Sequence, residues 1–325
     1  MKTMKEIGEK KVVETIINMF EQMPGNPIPF GDDISAVELG NGKLAYLKCD
    51  MLVNRTDVPP GMNLTQVGKK AVVSVVSDFA SKGVQPIALL SSLGIPSNFK
   101  ENDVKKIIQG FNLGAREYGA YVIGGDTNES SDLIIDCIGF GLGNSNIFVS
   151  RYGAKSGNLL AVTGFFGETA AGLKMVKERY QATSSIKKRL LDAIYEPKAR
   201  LNEGLALANT KALTSSMDSS DGLAASLFEL SERSGVGFLL EKIPISKYAI
   251  KFAEINDLDP ISLAFYGGEE YELVFTFDSK NLSQVQKALN ENLIIIGKAT
   301  SEKSIEFKTD YEKKKILPLG WEHFK

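Results

Sequence analysis

The sequence predicts an α+β protein of two domains packed around a shared site. Three observations carry that expectation. The chain has 325 residues, more than one hydrophobic core usually organises. Helical and extended hydrophobic patterns alternate along it without a repeat or a low-complexity linker. Between them, residues 144–150 show neither pattern, which divides the chain into an N-terminal domain over 1–147 and a C-terminal domain over 148–325.

Each element has its own local reason. Residues 6–23 place Ile7, Val12, Val13, Ile16, Ile17 and Phe20 on one side of a helix closed by Pro24-Gly25. Residues 43–50 read as a strand. Asn63 with Gln66 three positions later is a capping signature for a helix ending near Ser81, with Gly83 as its stop. Residues 86–94 are extended, 103–118 helical with Gly119 after them, and 121–124 a short buried strand delivering Asp126. A strand follows over 133–142, its end loosened by Gly139, Gly141 and Gly143. The second half reads as strand 159–163, helices 168–177, 188–195 and 201–209, strand 216–218, helix 223–233, strand 272–277, helix 282–290 and strand 293–298.

Composition excludes several classes of function. Apolar residues at 43% and charged residues at 24% describe an ordinary globular protein. A net charge of −2 with pI near 5.8 offers no basic footprint for nucleic acid. Cys49 and Cys137 are too few for a disulfide framework or a thiolate zinc site, which fits a reducing cytoplasm. No stretch has the length and apolarity of a membrane helix, and the lysine-rich start lacks signal-peptide character, so neither export nor membrane insertion is expected. The single histidine, His323, leaves a histidine triad or a histidine zinc site without material. No phosphate loop of the G-x-x-x-x-G-K-[ST] type and no G-x-G-x-x-G after a strand is present.

What remains is a set of five aspartate-bearing segments: Gly31-Asp32-Asp33, Cys49-Asp50, Ser77-Asp78, Gly124-Gly125-Asp126 and Asp218-Ser219-Ser220-Asp221-Gly222. Each is expected where an element ends, so one fold can gather them. Gly-Asp-Asp and Asp-Gly are also ordinary turn chemistry. Asp78, near the end of an apolar helix, and Asp50, ending an apolar strand, have no such excuse, because helix propensity, the helix dipole and burial all disfavour a carboxylate there. Ionised aspartates crowded in one cleft repel each other unless a cation neutralises them, so the set points to Mg²⁺ handling phosphate.

Taken with Asp50-Met51-Leu52-Val53, Ser77-Asp78-Phe79-Ala80-Ser81-Lys82-Gly83, Gly124-Gly125-Asp126-Thr127, Arg151-Tyr152-Gly153-Ala154-Lys155 and Gly267-Gly268-Glu269-Glu270-Tyr271-Glu272-Leu273, the ordered segments resemble the thiamine-monophosphate kinase family. That family lies in the superfamily that also holds aminoimidazole ribonucleotide synthetase and selenophosphate synthetase, and the match runs over about 30–324. The resemblance implies the synthetase-like two-domain fold, with an N-terminal sheet-plus-helices domain used for homodimerisation and a C-terminal α/β sandwich. It implies transfer of the γ-phosphoryl of ATP to thiamine monophosphate with several Mg²⁺ ions. By motif, Asp33, Asp50, Asp78, Asp126, Asp218 and Asp221 would ligate Mg²⁺, and Gly125, Asp126, Arg151 and Ser220 would contact ATP. Glu269 and Trp321 would touch the thiamine moiety. Trp321 alone reads equally well as a pin for the C-terminal tail.

Three positions depart from the family pattern. Lys48-Cys49 stands where Ser-Thr is common, which leaves backbone carbonyls as the metal ligands these two residues could supply. Asp57 replaces a frequent histidine and could contact substrate or cap its turn. Glu270 takes the place of a commoner aspartate. Because the acceptor is already an anionic phosphate, no strong general base is called for; charge neutralisation by metal and Arg151 and an in-line approach would lower the barrier.

Overall fold

The computed structural model describes residues 2–290, 292–309 and 312–324. In chain order the first half contains α1 (Met4–Met19), β1 (Ser35–Gly40), β2 (Lys43–Val53), α2 (Asn54–Asp57), α3 (Leu64–Ser81), β3 (Pro86–Ile95), α4 (Glu101–Glu117), β4 (Tyr121–Glu129) and β5 (Ile134–Asn144). The second half contains β6 (Leu159–Val162), α5 (Glu168–Glu178), α6 (Ser184–Tyr195), α7 (Leu201–Asn209), β7 (Leu213–Asp218), α8 (Leu223–Ser234), β8 (Gly237–Leu240), α9 (Lys247–Asn256), α10 (Pro260–Tyr266), β9 (Leu273–Phe277), α11 (Leu282–Ala288), β10 (Ile294–Thr300), β11 (Ile305–Lys308) and β12 (Lys313–Lys315). No helix among the described residues is long and apolar enough to cross a membrane.

The first sheet has the order β1-β2-β5-β3-β4, antiparallel except for the β3–β4 pair. The second has the order β12-β11-β8-β10-β6-β9-β7, with β8 and β11 parallel. The hinge of the architecture is α3. The Asn63 side chain accepts from Gln66 N and the Gln66 side chain accepts from Asn63 N, so its first turn is closed at both ends. Beyond that turn it is valine-rich on nearly every side, and Val67, Val72, Val73, Val75, Val76 and Phe79 are all fully buried. A helix apolar all round must be covered all round. One side meets the first sheet and α4, and the other meets α7 and β7. Gly204 permits the α7 crossing, since a Cβ there would lie 2.0 Å from the carbonyl oxygen of Ala80. One apolar core therefore runs from Tyr46 and Val72 through Phe79 into Phe275, Phe277 and Val285 of the second half.

Several sequence expectations are corrected. β4 is not buried: it is the edge strand of its sheet and is exposed along most of its length. Asp50 and the Gly124-Gly125-Asp126 segment lie inside strands rather than at their ends, because β2 runs on to Val53 and β4 to Glu129. Gly139 and Gly141 do not loosen β5, which continues to Asn144. Glycine at 139 instead lets α3 settle on the sheet, where a Cβ would come within 2.5 Å of the Phe79 ring. The strand β8 and the helices α9 and α10 fill a segment in which no element was expected.

With α3 and α4 on one face of the first sheet, the other is open. Register aligns Leu47, Phe140, Ala88 and Tyr121 in one row across it. Leu47, Met51, Leu90, Tyr121 and Ile123 are exposed on this sheet.

Candidate active site

The end of α3, the Gly31–Asp33 turn and the end of β7 bring Asp33, Asp78 and Asp218 together in the interior. One carboxylate oxygen from each lies within 4.8 Å of the others, and all three residues are buried. Asp78 reaches the group because α3 carries it inward on its apolar face. Asp218 reaches it as the last residue of β7, hydrogen-bonded by Ser77 Oγ at 2.6 Å.

Three cations surround these carboxylates. Lys82 is fully buried and its Nζ lies 2.8 Å from Asp32 Oδ1, 2.6 Å from Asp33 Oδ2 and 2.6 Å from the carbonyl oxygen of Ser216. Arg151 grips Asp33 Oδ1 through Nε, at 2.6 Å, and Nη2, and its Nη1 donates to the Gly31 carbonyl. Lys48 Nζ lies 2.9 Å from Asp78 Oδ2.

Electrostatics separates the aspartates. Burial alone would raise the Asp33 carboxyl, but Arg151 and Lys82 outweigh it and hold the group well below the usual range. Burial pushes Asp78 well above that range against the pull of Lys48, with Asp218 adding to the rise. Asp218 is pushed up to about 6 by burial and then by the charge of Asp33. Asp221 rises to about 7 through burial and then through Glu9, which the N-terminal helix α1 brings near. Asp78, Asp218 and Asp221 thus resist ionisation, because their surroundings do not fully compensate a negative charge there. Such oxygens suit a hard divalent cation. Asp78 and Asp218 each have one oxygen engaged, by Lys48 and by Ser77. Asp33, with both oxygens engaged, is the least available of the three.

The remaining expected residues fall in different places. Asp50 stands on β2 in the row Asp50, Cys137, Ser91 and Gly125, and its charge acts on Asp78, Lys48 and Asp136. Gly125 permits a close approach to β3, since a Cβ there would lie 1.9 Å from Ser91 O. Asp126 is exposed on β4 in the next row, with Ser92 and Asp136, and the structure does not bring it into the buried group. Cys49 is exposed and unpaired.

A second pocket, of about 50 Å³, is lined by Thr56, Asp57, Pro59, Leu173, Lys177, Gly268, Glu269 and Trp321. It gathers the three residues expected on the substrate side. Asp57 caps its own turn, accepting from Val53 N at 2.7 Å. The loop after β7 joins the two regions. Asp218 ends the strand, Glu269 N donates to Ser220 O at 2.7 Å, and Trp321 N donates to Asp221 O at 3.1 Å. Sequence reasoning missed Lys82, Lys70 and the ammonium of Lys48. A lysine inside an apolar helical run, as in Gly68-Lys69-Lys70-Ala71-Val72, was the available signal for Lys70.

Residues 31–143 match the family model described as AIR synthase related protein, N-terminal domain. The thiamine-monophosphate kinase of Nitrosopumilus maritimus is 34% identical over 313 residues, covering 95% of this chain and 97% of the relative. That of Pyrococcus horikoshii is 34% identical and covers 99% and 98%. The solved structure of AaThiL complexed with AMPPCP and TMP superposes with a TM-score of 0.87 at 27% identity, covering 99% of both chains. With this identity sustained over nearly its whole length, the chain belongs to the thiamine-monophosphate kinase family.

Proposed function

We propose that this protein transfers the γ-phosphoryl group of ATP to thiamine monophosphate, yielding thiamine diphosphate and ADP. The observation that carries the reading is the loop 218–222, which ends in the buried carboxylate group on one side and supports the Glu269 and Trp321 walls of the small pocket on the other. A phosphate oxygen of the acceptor attacks Pγ, a new O–P bond forms, and the bond from Pγ to the β-phosphate bridging oxygen breaks with its electron pair leaving on ADP.

The chain's own groups provide orientation and charge. Asp50, Asp78, Asp218 and Asp221 would hold Mg²⁺, with Asp33 and Asp126 as further candidates and the carbonyls of Lys48 and Cys49 within the same strand. Mg²⁺ bound there supplies the positive charge that lets two phosphate anions approach. Arg151, fixed by Asp33 and Gly31, presents a planar guanidinium beside the group and is assigned with Gly125 and Ser220 to ATP. At the other end Glu269 faces the amine-bearing ring system and Trp321 offers it an aromatic face. Lys177 Nζ already lies 5.9 Å from the centre of the Trp321 ring, so this face accepts a cation.

The open apolar face of the first sheet supports a homodimer formed through the N-terminal half, and two free thiols suit the cytoplasm. The deciding experiment is a coupled assay for thiamine diphosphate and ADP from ATP, Mg²⁺ and thiamine monophosphate, with free thiamine as control acceptor. Stoichiometric, Mg²⁺-dependent product from the monophosphate alone establishes the reaction. ATP binding without thiamine diphosphate moves the acceptor to another phosphorylated or carboxylated metabolite.

A further inference from the structure

α3 carries a buried lysine that none of the chemistry above uses. Lys70 is only 2% exposed. Its ammonium lies 2.5 Å from the carbonyl oxygen of Asp57 and 2.5 Å from Oε1 of Glu269. A desolvated ammonium persists only where its partners are well placed. Here the partners are two walls of the small pocket, one from each half of the chain.

The Glu269 wall needs holding. Glu269 has φ of +66° and Tyr271 φ of +53°, both in the left-handed region that side chains avoid. Glu269 N to Ser220 O at 2.7 Å and Tyr271 N to Ser219 O at 3.0 Å fix the backbone, but neither bond directs the Glu269 carboxylate. Its side chain is 29% exposed, so without an anchor it is free to turn to water. On the opposite wall the Asp57 carboxylate is committed to Val53 N, which leaves its carbonyl as the acceptor offered to Lys70.

We propose that Lys70 is a positioning residue for substrate recognition: shared between the Asp57 carbonyl and the Glu269 carboxylate, it locks the two halves of the chain together and aims Glu269 at the cationic, amine-bearing ring end of the acceptor. The ring as ligand rests on the function proposed above, whereas the clamp itself does not. The pocket of about 50 Å³ lies between these two walls and Trp321. Trp321, half exposed and tied through its backbone N to Asp221 O, is a further wall of the pocket.

The test compares Lys70→Met, Lys70→Arg, Glu269→Gln and the Lys70→Met/Glu269→Gln pair. KM is measured for thiamine monophosphate and for ATP, and unfolding is followed in urea. Lys70→Met should raise KM for thiamine monophosphate about tenfold, the size of one lost charge-assisted contact, with KM for ATP changed less than about twofold. Lys70→Arg should recover most of the loss, and the pair should be no worse than its poorer single variant. Equal changes in both KM values, additive effects, or lowered stability with unchanged KM would each overturn the proposal. Should Lys70→Met fail to fold, Lys70→Arg and Glu269→Gln decide it by the same KM comparison. If the unmodified enzyme makes no thiamine diphosphate, the ligand assignment falls, and the urea double-mutant cycle alone judges the clamp: coupling between Lys70 and Glu269 retains it, and its absence removes it.

Discussion

The ammonium of Lys48 stands 2.9 Å from Oδ2 of Asp78, inside the ring of carboxylates proposed to hold Mg²⁺. Lys48 is thus a resident cation at that site, and an incoming divalent ion competes with it for Asp78. Lys48→Ser should cost about 3 kcal/mol of stability in EDTA, because it strands a buried carboxylate. The same variant should bind Mn²⁺ several-fold more tightly without nucleotide, as read by electron paramagnetic resonance of free Mn²⁺. Unchanged Mn²⁺ affinity would mean that Asp78 is not a ligand.

Lys82 neutralises the other side of the group. It meets Asp32, Asp33 and the Ser216 carbonyl and joins the end of α3 to β7. Lys82→Met leaves two buried carboxylates short of a partner, and a loss of about 3–5 kcal/mol is expected in urea unfolding. A loss under about 1 kcal/mol would show that Arg151 alone compensates Asp33.

These two lysines mark the boundary of what the sequence makes legible. Asp78 and Asp50 stood out because a carboxylate inside an apolar run contradicts local propensity, and the contradiction is visible without a fold. Lys82 sits among residues that also suit a helix end, where a cation is ordinary, so its role stays hidden until Asp32, Asp33 and Ser216 are brought to it. The valine-rich α3 was legible from its cap and pattern together. β8 was not, because its four residues, Gly237–Leu240, are too few to show a period. α9 carried a signal that was not used: Ser246 accepts from Tyr248 N at its start. The exposure of β4 follows from sheet order, since Tyr121-Val122-Ile123 reads as an interior strand and sits at an edge.

Trp321 tests the proposed acceptor end. It is half exposed, and its backbone rather than its ring ties it to Asp221. Trp321→Ala should raise KM for thiamine monophosphate by about tenfold, the loss of one cation–π or stacking contact of about 1–2 kcal/mol, and leave KM for ATP nearly unchanged. Equal effects on both substrates would return Trp321 to pinning the tail.

Ile123 tests the open sheet face. It is 70% exposed on the edge strand β4, beside Tyr121. Analytical ultracentrifugation should find the unmodified protein dimeric and Ile123→Glu largely monomeric, with a monomer fold unchanged by circular dichroism. A dimer that survives Ile123→Glu at micromolar concentration would move the interface elsewhere.

Glu270 predicts a pH dependence of stability. Its Oε1 accepts from Gly167 N at 2.7 Å, and its Oε2 is buried. Burial pushes the carboxyl up to about 8, beyond what Gly167 and Thr169 can offset. An unfolded glutamate titrates near about 4.3. Between these values the folded protein keeps a proton that the unfolded chain has released, so stability falls as pH rises, by up to about 1.4 kcal/mol per pH unit from this group. The contribution is intact below about pH 4 and gone once the pH passes about 8. Glu270→Gln is neutral throughout and should abolish that slope. Urea unfolding at pH 5 and at pH 8 should therefore show the variant gaining on the unmodified protein as pH rises, with the gain levelling off above pH 8. Parallel stability curves would show that Glu270 is ionised in the folded protein and that Gly167 suffices to hold its charge.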